Sequence, residues 1–166
     1  MSLDVCLKAE PVQKKGTGVF IRENGQNREL TEQEVKERWP GAEISTQFYE
    51  DEYVYSRNIT HNLNRMAEAA GIYEALWRPY RLKDNYEHSD DDYQKEIAFE
   101  GSVTILAKEI IAPLQEGLEK LKSNPEEFKK YNPENGWGTY GGLIDFVEDY
   151  LNACIQNPEA EVITLR

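Results

Sequence analysis

At 166 residues the chain has room for one domain with a real core, and 39% hydrophobic and 11% aromatic residues argue against disorder. The 31 acidic residues outnumber 19 basic ones and leave a formal charge of −12, which repels phosphate backbones and anionic membranes and excludes direct nucleic-acid binding. No 18-residue apolar run and no basic-then-apolar leader occurs, so neither a membrane span nor a secretion signal is expected.

In chain order, Ser2–Leu7 reads as a strand with Leu3, Val5 and Leu7 on one side, and Thr17–Arg22 as a second with Val19 and Ile21 alternating. Asn24-Gly25 is a two-residue hairpin signal that returns Gln26–Leu30 beside the second strand. Thr31-Glu32-Gln33-Glu34 is a capping box that opens a short helix to Trp39, stopped by Pro40-Gly41. Ala42–Tyr55 is β-prone, but its apolar residues fall on both parities, so a bulge or turn near Glu50-Asp51-Glu52 is expected.

Asn58–Pro79 organises the rest of the chain. Thr60 is placed to cap a helix in which Ile59, Leu63, Met66 and Ala70 recur at helical spacing, and Gly71 is placed just past its end. Ile72 can pack back on that helix, and Pro79 blocks continuation of the short Tyr73–Arg78 segment. The other face carries His61, Asn64, Arg65 and Glu68, a set richer in hydrogen-bonding groups than solvation requires. Lys83–Glu100 then turns acidic and reads as a surface insertion. His88 beside Ser89-Asp90-Asp91-Asp92 lacks calcium-loop spacing and reads as a solvated loop in preference to a metal site.

From Val103 to Leu121 one helical face is apolar, with Pro113 either kinking the helix or dividing it at Ala112. Asn124-Pro125 marks another helix start. Asn132–Gly142 carries four glycines with Trp137 and Tyr140, so the backbone can approach another group closely while flat rings are presented beside it. Leu143, Phe146, Val147, Tyr150, Leu151 and Cys154 then fall on one helical stripe; Pro158 ends that helix, and Glu161–Leu165 reads as a last strand. Cys6 and Cys154 read as small buried hydrophobes in a reducing compartment. The expected fold is a single α+β domain over 1–166, with an antiparallel or mixed sheet from the N-terminal hairpin, the middle strand and the C-terminal strand, packed by several helices.

Asn58-Ile59-Thr60-His61-Asn62-Leu63, Ala70-Gly71-Ile72-Tyr73, Leu76-Trp77-Arg78-Pro79 and Asn132-Pro133-Glu134-Asn135-Gly136-Trp137-Gly138-Thr139-Tyr140 resemble motifs of a family of small proteins encoded by phages and prophages. The likeness extends to the Ser2-Leu3-Asp4-Val5 opening and to the final helix through Tyr150, leaving out Lys83–Glu100. It brings no activity with it; it implies a viral accessory gene working in the bacterial cytoplasm, of a kind that often counters host defence.

Three functions are weighed. In the first, the protein sequesters a small polar or nucleotide-like ligand through His61, Asn62, Asn64, Arg65, Trp77, Arg78, Asn135, Trp137, Thr139 and Tyr140: helix-start N–H groups hold phosphate, an arginine neutralises it, and an aromatic ring stacks a base. Each residue also has a structural role open to it, His61 and Asn62 satisfying backbone groups and the tryptophans anchoring a core. In the second, an acidic surface from Glu43–Glu52 and Lys83–Glu100 mimics nucleic acid and occupies the cleft of a basic host defence protein. The third, an enzyme with His61 as base, is disfavoured because Glu68 lies two helical turns away and no nucleophile or phosphate-loop motif is present. No cofactor is implied. The many tyrosines could support a homo-oligomer.

Overall fold

A computed structural model describes residues 2–44, 47–87 and 93–166, apart from the Phe48 side chain. The chain is α+β, with strands β1 (Ser2–Lys15), β2 (Phe20–Glu23), β3 (Gln26–Glu29), β4 (Gln47–Thr60) and β5 (Glu161–Leu165). Its helices are α1 (Glu32–Arg38), α2 (Asn64–Ala70), α3 (Tyr73–Trp77), α4 (Tyr93–Glu100), α5 (Ala107–Ser123), α6 (Pro125–Phe128) and α7 (Tyr140–Gln156). One sheet has the order β4-β1-β5, and β2 and β3 form a separate two-stranded sheet. The hairpin therefore does not join the sheet of β1 and β5 as expected. Two compact units result, Glu10–Glu52 and the remainder, Met1–Ala9 with Tyr53–Arg166.

In the smaller unit the Asn24-Gly25 turn has φ of 51° and 82°, the two positive angles that a tight β-hairpin needs, and it pairs Glu23 with Gln26 and Phe20 with Glu29. Strand β2 starts later than expected because the Thr17 hydroxyl donates to the Leu30 carbonyl at 2.5 Å and so closes the hairpin base. The capping box is formed: Glu34 N–H donates to Thr31 Oγ1 at 3.3 Å, and Thr31 N–H donates to Glu34 Oε2 at 2.8 Å. Leu30 and Val35 are buried. Strand β4 runs unbroken through Glu50-Asp51-Glu52, so no turn reconciles its two parities.

In the larger unit β1 buries Leu3, Val5 and Leu7 in strict alternation and pairs antiparallel with β5, from Asp4 opposite Leu165 to Lys8 opposite Glu161. The extended segment continues to Lys15, past the part that the apolar alternation reveals. Ile59 stays on β4, so the central helix starts later than its spacing suggested: a 3₁₀ turn, His61–Leu63, intervenes before α2. Thr60 caps that turn, accepting from Asn62 N–H at 3.3 Å.

Gly71, with φ of 80°, closes α2 as a Schellman motif: Gly71 N–H donates to Glu68 O and Ile72 N–H to Ala67 O, both at 2.9 Å. Helix α5 starts at Ala107 and not at Val103, because Val162 N–H takes the Ile105 carbonyl and Leu106 bridges to Glu161. It then runs through Pro113 as one helix. Gly117 lets α5 lie against Ile72, where a Cβ would meet Ile72 Cγ2 at 1.9 Å. Asn124 precedes α6, but its side chain caps nothing and donates instead to Ser123 Oγ.

Helix α7 buries Leu143, Phe146, Val147, Tyr150, Leu151 and Cys154, the whole expected stripe. Both cysteines are free thiols, and burial pushes Cys154 up to about 12. Among the described residues no helix is long and apolar enough to cross a membrane.

Candidate functional site

The residues after the Schellman turn build one wall of a cleft of about 560 Å³. Positions i and i+4 of α3 bring Tyr73 and Trp77 together, stacked with centroids 5.5 Å apart and planes 11° apart. Pro79 ends the helix, and the 3₁₀ turn Pro79–Leu82 that follows carries Tyr80 and Arg81, with Arg78 the residue just before it. His61, first residue of the turn leaving β4, contributes its ring edge-on to Trp77 at 6.0 Å. Across the cleft stand Tyr93, Glu96, Ile97 and Glu100 of α4, and Thr164, Leu165 and Arg166 at the end of β5.

An ion-pair network joins the two sides. Glu96 Oε1 accepts from Arg78 Nη1 at 2.6 Å, Tyr80 OH at 2.5 Å, Arg81 Nη2 at 2.7 Å and Arg81 Nε at 3.0 Å. Arg166 pairs with Glu100 and donates to the Tyr80 hydroxyl at 3.3 Å. Partial burial would push the Glu96 carboxyl up, but the hydrogen bonds from Tyr80 and Arg81 outweigh it and hold the group below its ordinary value. Burial and the bond to Glu96 raise the Tyr80 phenol, keeping it a donor. Three guanidiniums face two carboxylates, so the network carries one positive charge in excess within a chain of net charge −12.

Two polar atoms of the wall, His61 Nδ1 and Trp77 Nε1, are buried without a hydrogen-bond partner among the described residues. Each such group costs about 1–3 kcal/mol. Trp77 is only 1% exposed, so its ring anchors the core and Tyr73 covers it. The ring faces open to a ligand belong to Tyr73, half-buried, and to Tyr93, exposed at the mouth.

Of the expected site residues, His61, Trp77 and Arg78 come together here. The others do not line the cleft. Arg65 is exposed on α2, as is Asn62 in the turn before it, and Asn64 Oδ1 is buried without a partner among the described residues. Asn135 Oδ1 accepts from Trp137 N–H at 3.0 Å, Thr139 caps α7 by accepting from Gly142 N–H at 3.0 Å, and the Tyr140 hydroxyl donates to Leu121 O at 2.8 Å. These three shape the loop and its helix junctions, while Trp137 stands 73% exposed. The two motif stretches do meet, through Gly138, whose Cβ position lies 2.8 Å from Thr60 Cγ2.

Glu96, Glu100, Arg81 and Arg166 are not among the residues expected from sequence, where 83–100 reads as an acidic surface insertion. Tyr93–Glu100 is instead a helix that turns two of its acids inward, and the i, i+4 spacing of Glu96 and Glu100 was the available signal. His88, Ser89 and Asp90–Asp92 lie outside the described residues. Among those described, no group of three or more His, Cys, Asp or Glu residues is arranged to hold a metal ion. Comparison with protein-family models, with curated proteins and with solved structures gives no significant match.

Proposed function

We propose that the protein is a phage or prophage accessory protein of the bacterial cytoplasm that binds and sequesters a small, anionic, nucleotide-like ligand in this cleft. The phage setting rests on the two motif stretches. The ligand class rests on the arginines gathered beside the Tyr73–Trp77 stack. Guanidiniums take phosphate by paired hydrogen bonds, and a base can lie on Tyr73 or Tyr93. Sequestration needs no reaction, in keeping with the absence of a nucleophile motif from the sequence.

The alternative is an acidic mimic that blocks a basic defence protein through Glu43–Glu52 and Lys83–Glu100; Glu96 and Glu100, engaged by arginines, add no free negative charge to that surface. Native mass spectrometry of protein purified from phage-infected cells separates the two. A released nucleotide-like mass, lost in Arg78→Ala and kept in Trp137→Ala, supports sequestration. An empty protein that instead retains a basic host protein, and loses it at high salt, overturns sequestration in favour of mimicry.

A further inference from the structure

We propose that Glu96 is a built-in stand-in for the anionic group of the ligand: α4 plugs a phosphate site made by Arg78, Tyr80 and Arg81, and ligand enters by displacing it. This rests on the cleft being a ligand site.

The geometry around Glu96 fits a borrowed partner better than a dedicated one. Arg81 presents Nε and Nη2, the guanidinium edge that ordinarily takes two oxygens of one anion, yet both converge on the single atom Glu96 Oε1 at 3.0 and 2.7 Å. Arg78 Nη1 and Tyr80 OH converge on that same oxygen. Four donors thus crowd one acceptor atom, where a phosphate would offer each its own lone pairs on three oxygens.

Donors and acceptor also differ in how firmly they are held. Tyr80 is 2% exposed, with Tyr86 edge-on to its ring at 5.9 Å and the Arg166 guanidinium over it at 5.6 Å. Glu96 sits on an eight-residue helix that has no fully buried residue. Phe99 is its half-buried apolar contact with the core, edge-on to Tyr86 at 5.2 Å, while Tyr93 and Ile97 are exposed. The Tyr80 hydroxyl is thus a firmly seated donor, while its acceptor is carried on a helix with no fully buried residue. Lifting the Tyr93–Ile97 end frees the donors, and Phe99 can stay seated as it does so.

The test is titration calorimetry with inorganic pyrophosphate and with adenosine monophosphate, on wild type, Glu96→Gln and Glu96→Gln/Arg81→Ala, with amide hydrogen exchange across 93–100. Removing the competing charge raises pyrophosphate affinity about tenfold, because the docked helix no longer holds the site closed. The added Arg81→Ala change abolishes that gain. In wild type, saturating pyrophosphate speeds exchange across α4 and leaves α5 and α7 unchanged; this readout needs no variant and stands whether or not Glu96→Gln perturbs folding. Equal or weaker binding by Glu96→Gln, or an α4 that does not respond, overturns the stand-in. If adenosine monophosphate binds wild type and Glu96→Gln alike without opening α4, the ligand cleft survives and the stand-in falls. If pyrophosphate tightens as described and the nucleotide never binds, the stand-in survives and the nucleotide class falls. Binding of neither probe overturns both.

Discussion

Gly138 lies directly against Leu63: a Cβ on the glycine would stand 2.9 Å from Leu63 Cγ, and its φ of 103° is one that L side chains rarely adopt. Gly138→Ala should therefore cost about 1–3 kcal/mol through strain and overpacking together. Gly141→Ala is the control, because a Cβ there meets nothing within 4 Å and lies in the first turn of α7. Urea unfolding curves that place both variants at the same stability would disprove a close approach at Gly138.

Gly117→Ala sets two effects against each other. Helix propensity favours alanine by about 1 kcal/mol, but Ile72 Cγ2 is already 1.9 Å from the new methyl position. Overpacking wins, and a net loss of about 1–3 kcal/mol is expected. Adding Ile72→Ala removes the clashing methyl, so in a double-mutant cycle the two changes together should cost less than their sum; simple additivity would rule the contact out.

Tyr150→Phe should leave stability unchanged or raise it by up to about 1 kcal/mol. The Tyr150 hydroxyl is buried without a partner among the described residues, and burial drives its pKa well above the ordinary value. Removing an unsatisfied polar group relieves a desolvation penalty. A loss above about 1 kcal/mol would reveal an ordered water on that oxygen.

Acid should loosen α1 over a defined range. Hydrogen bonds from Arg28, then from the Thr31 N–H and hydroxyl, hold Glu34 at about 2, below the unfolded value of about 4.3. A depressed carboxylate contributes stability above the unfolded pKa and loses it as pH falls through the folded one, so the contribution fades between about pH 4.3 and pH 2. Protection factors of the Glu32–Arg38 amides, taken against the intrinsic exchange rate at each pH, should fall across that range in wild type and not in Glu34→Gln. A flat wild-type profile would contradict the capping geometry.

Local signals survived from sequence to structure where one physical cause acted over a few residues. Gly71 was legible because only a left-handed residue closes a Schellman motif, and the α7 stripe because six apolar residues keep one period. Ile59 misled because its spacing from Leu63 and Met66 fits a helix, whereas the β-branched Ile59-Thr60 pair continues β4. Val103 misled because the backbone at Ile105 and Leu106 bonds to β5 before the helix can start.

The candidate site was legible only at His61, Trp77 and Arg78, which share one short segment. Its other charges arrive from far along the chain. Arg166 reaches the Tyr80 hydroxyl across 86 positions, and no local pattern marks it. The acidity of 83–100 spoke for solvation, while the sign of its neighbours in space decided the matter for Glu96 and Glu100.

The placement of the three tryptophans gives the protein its own optical reporters. Trp39, half-exposed beyond α1, belongs to the smaller compact unit; Trp77 and Trp137 belong to the larger one, the first 1% and the second 73% exposed. Their emission should divide into a blue component from Trp77, sensitive to events at Tyr73, and red components from the other two. Single-tryptophan versions would then report the melting of each unit, and the filling of the cleft, in separate cuvettes.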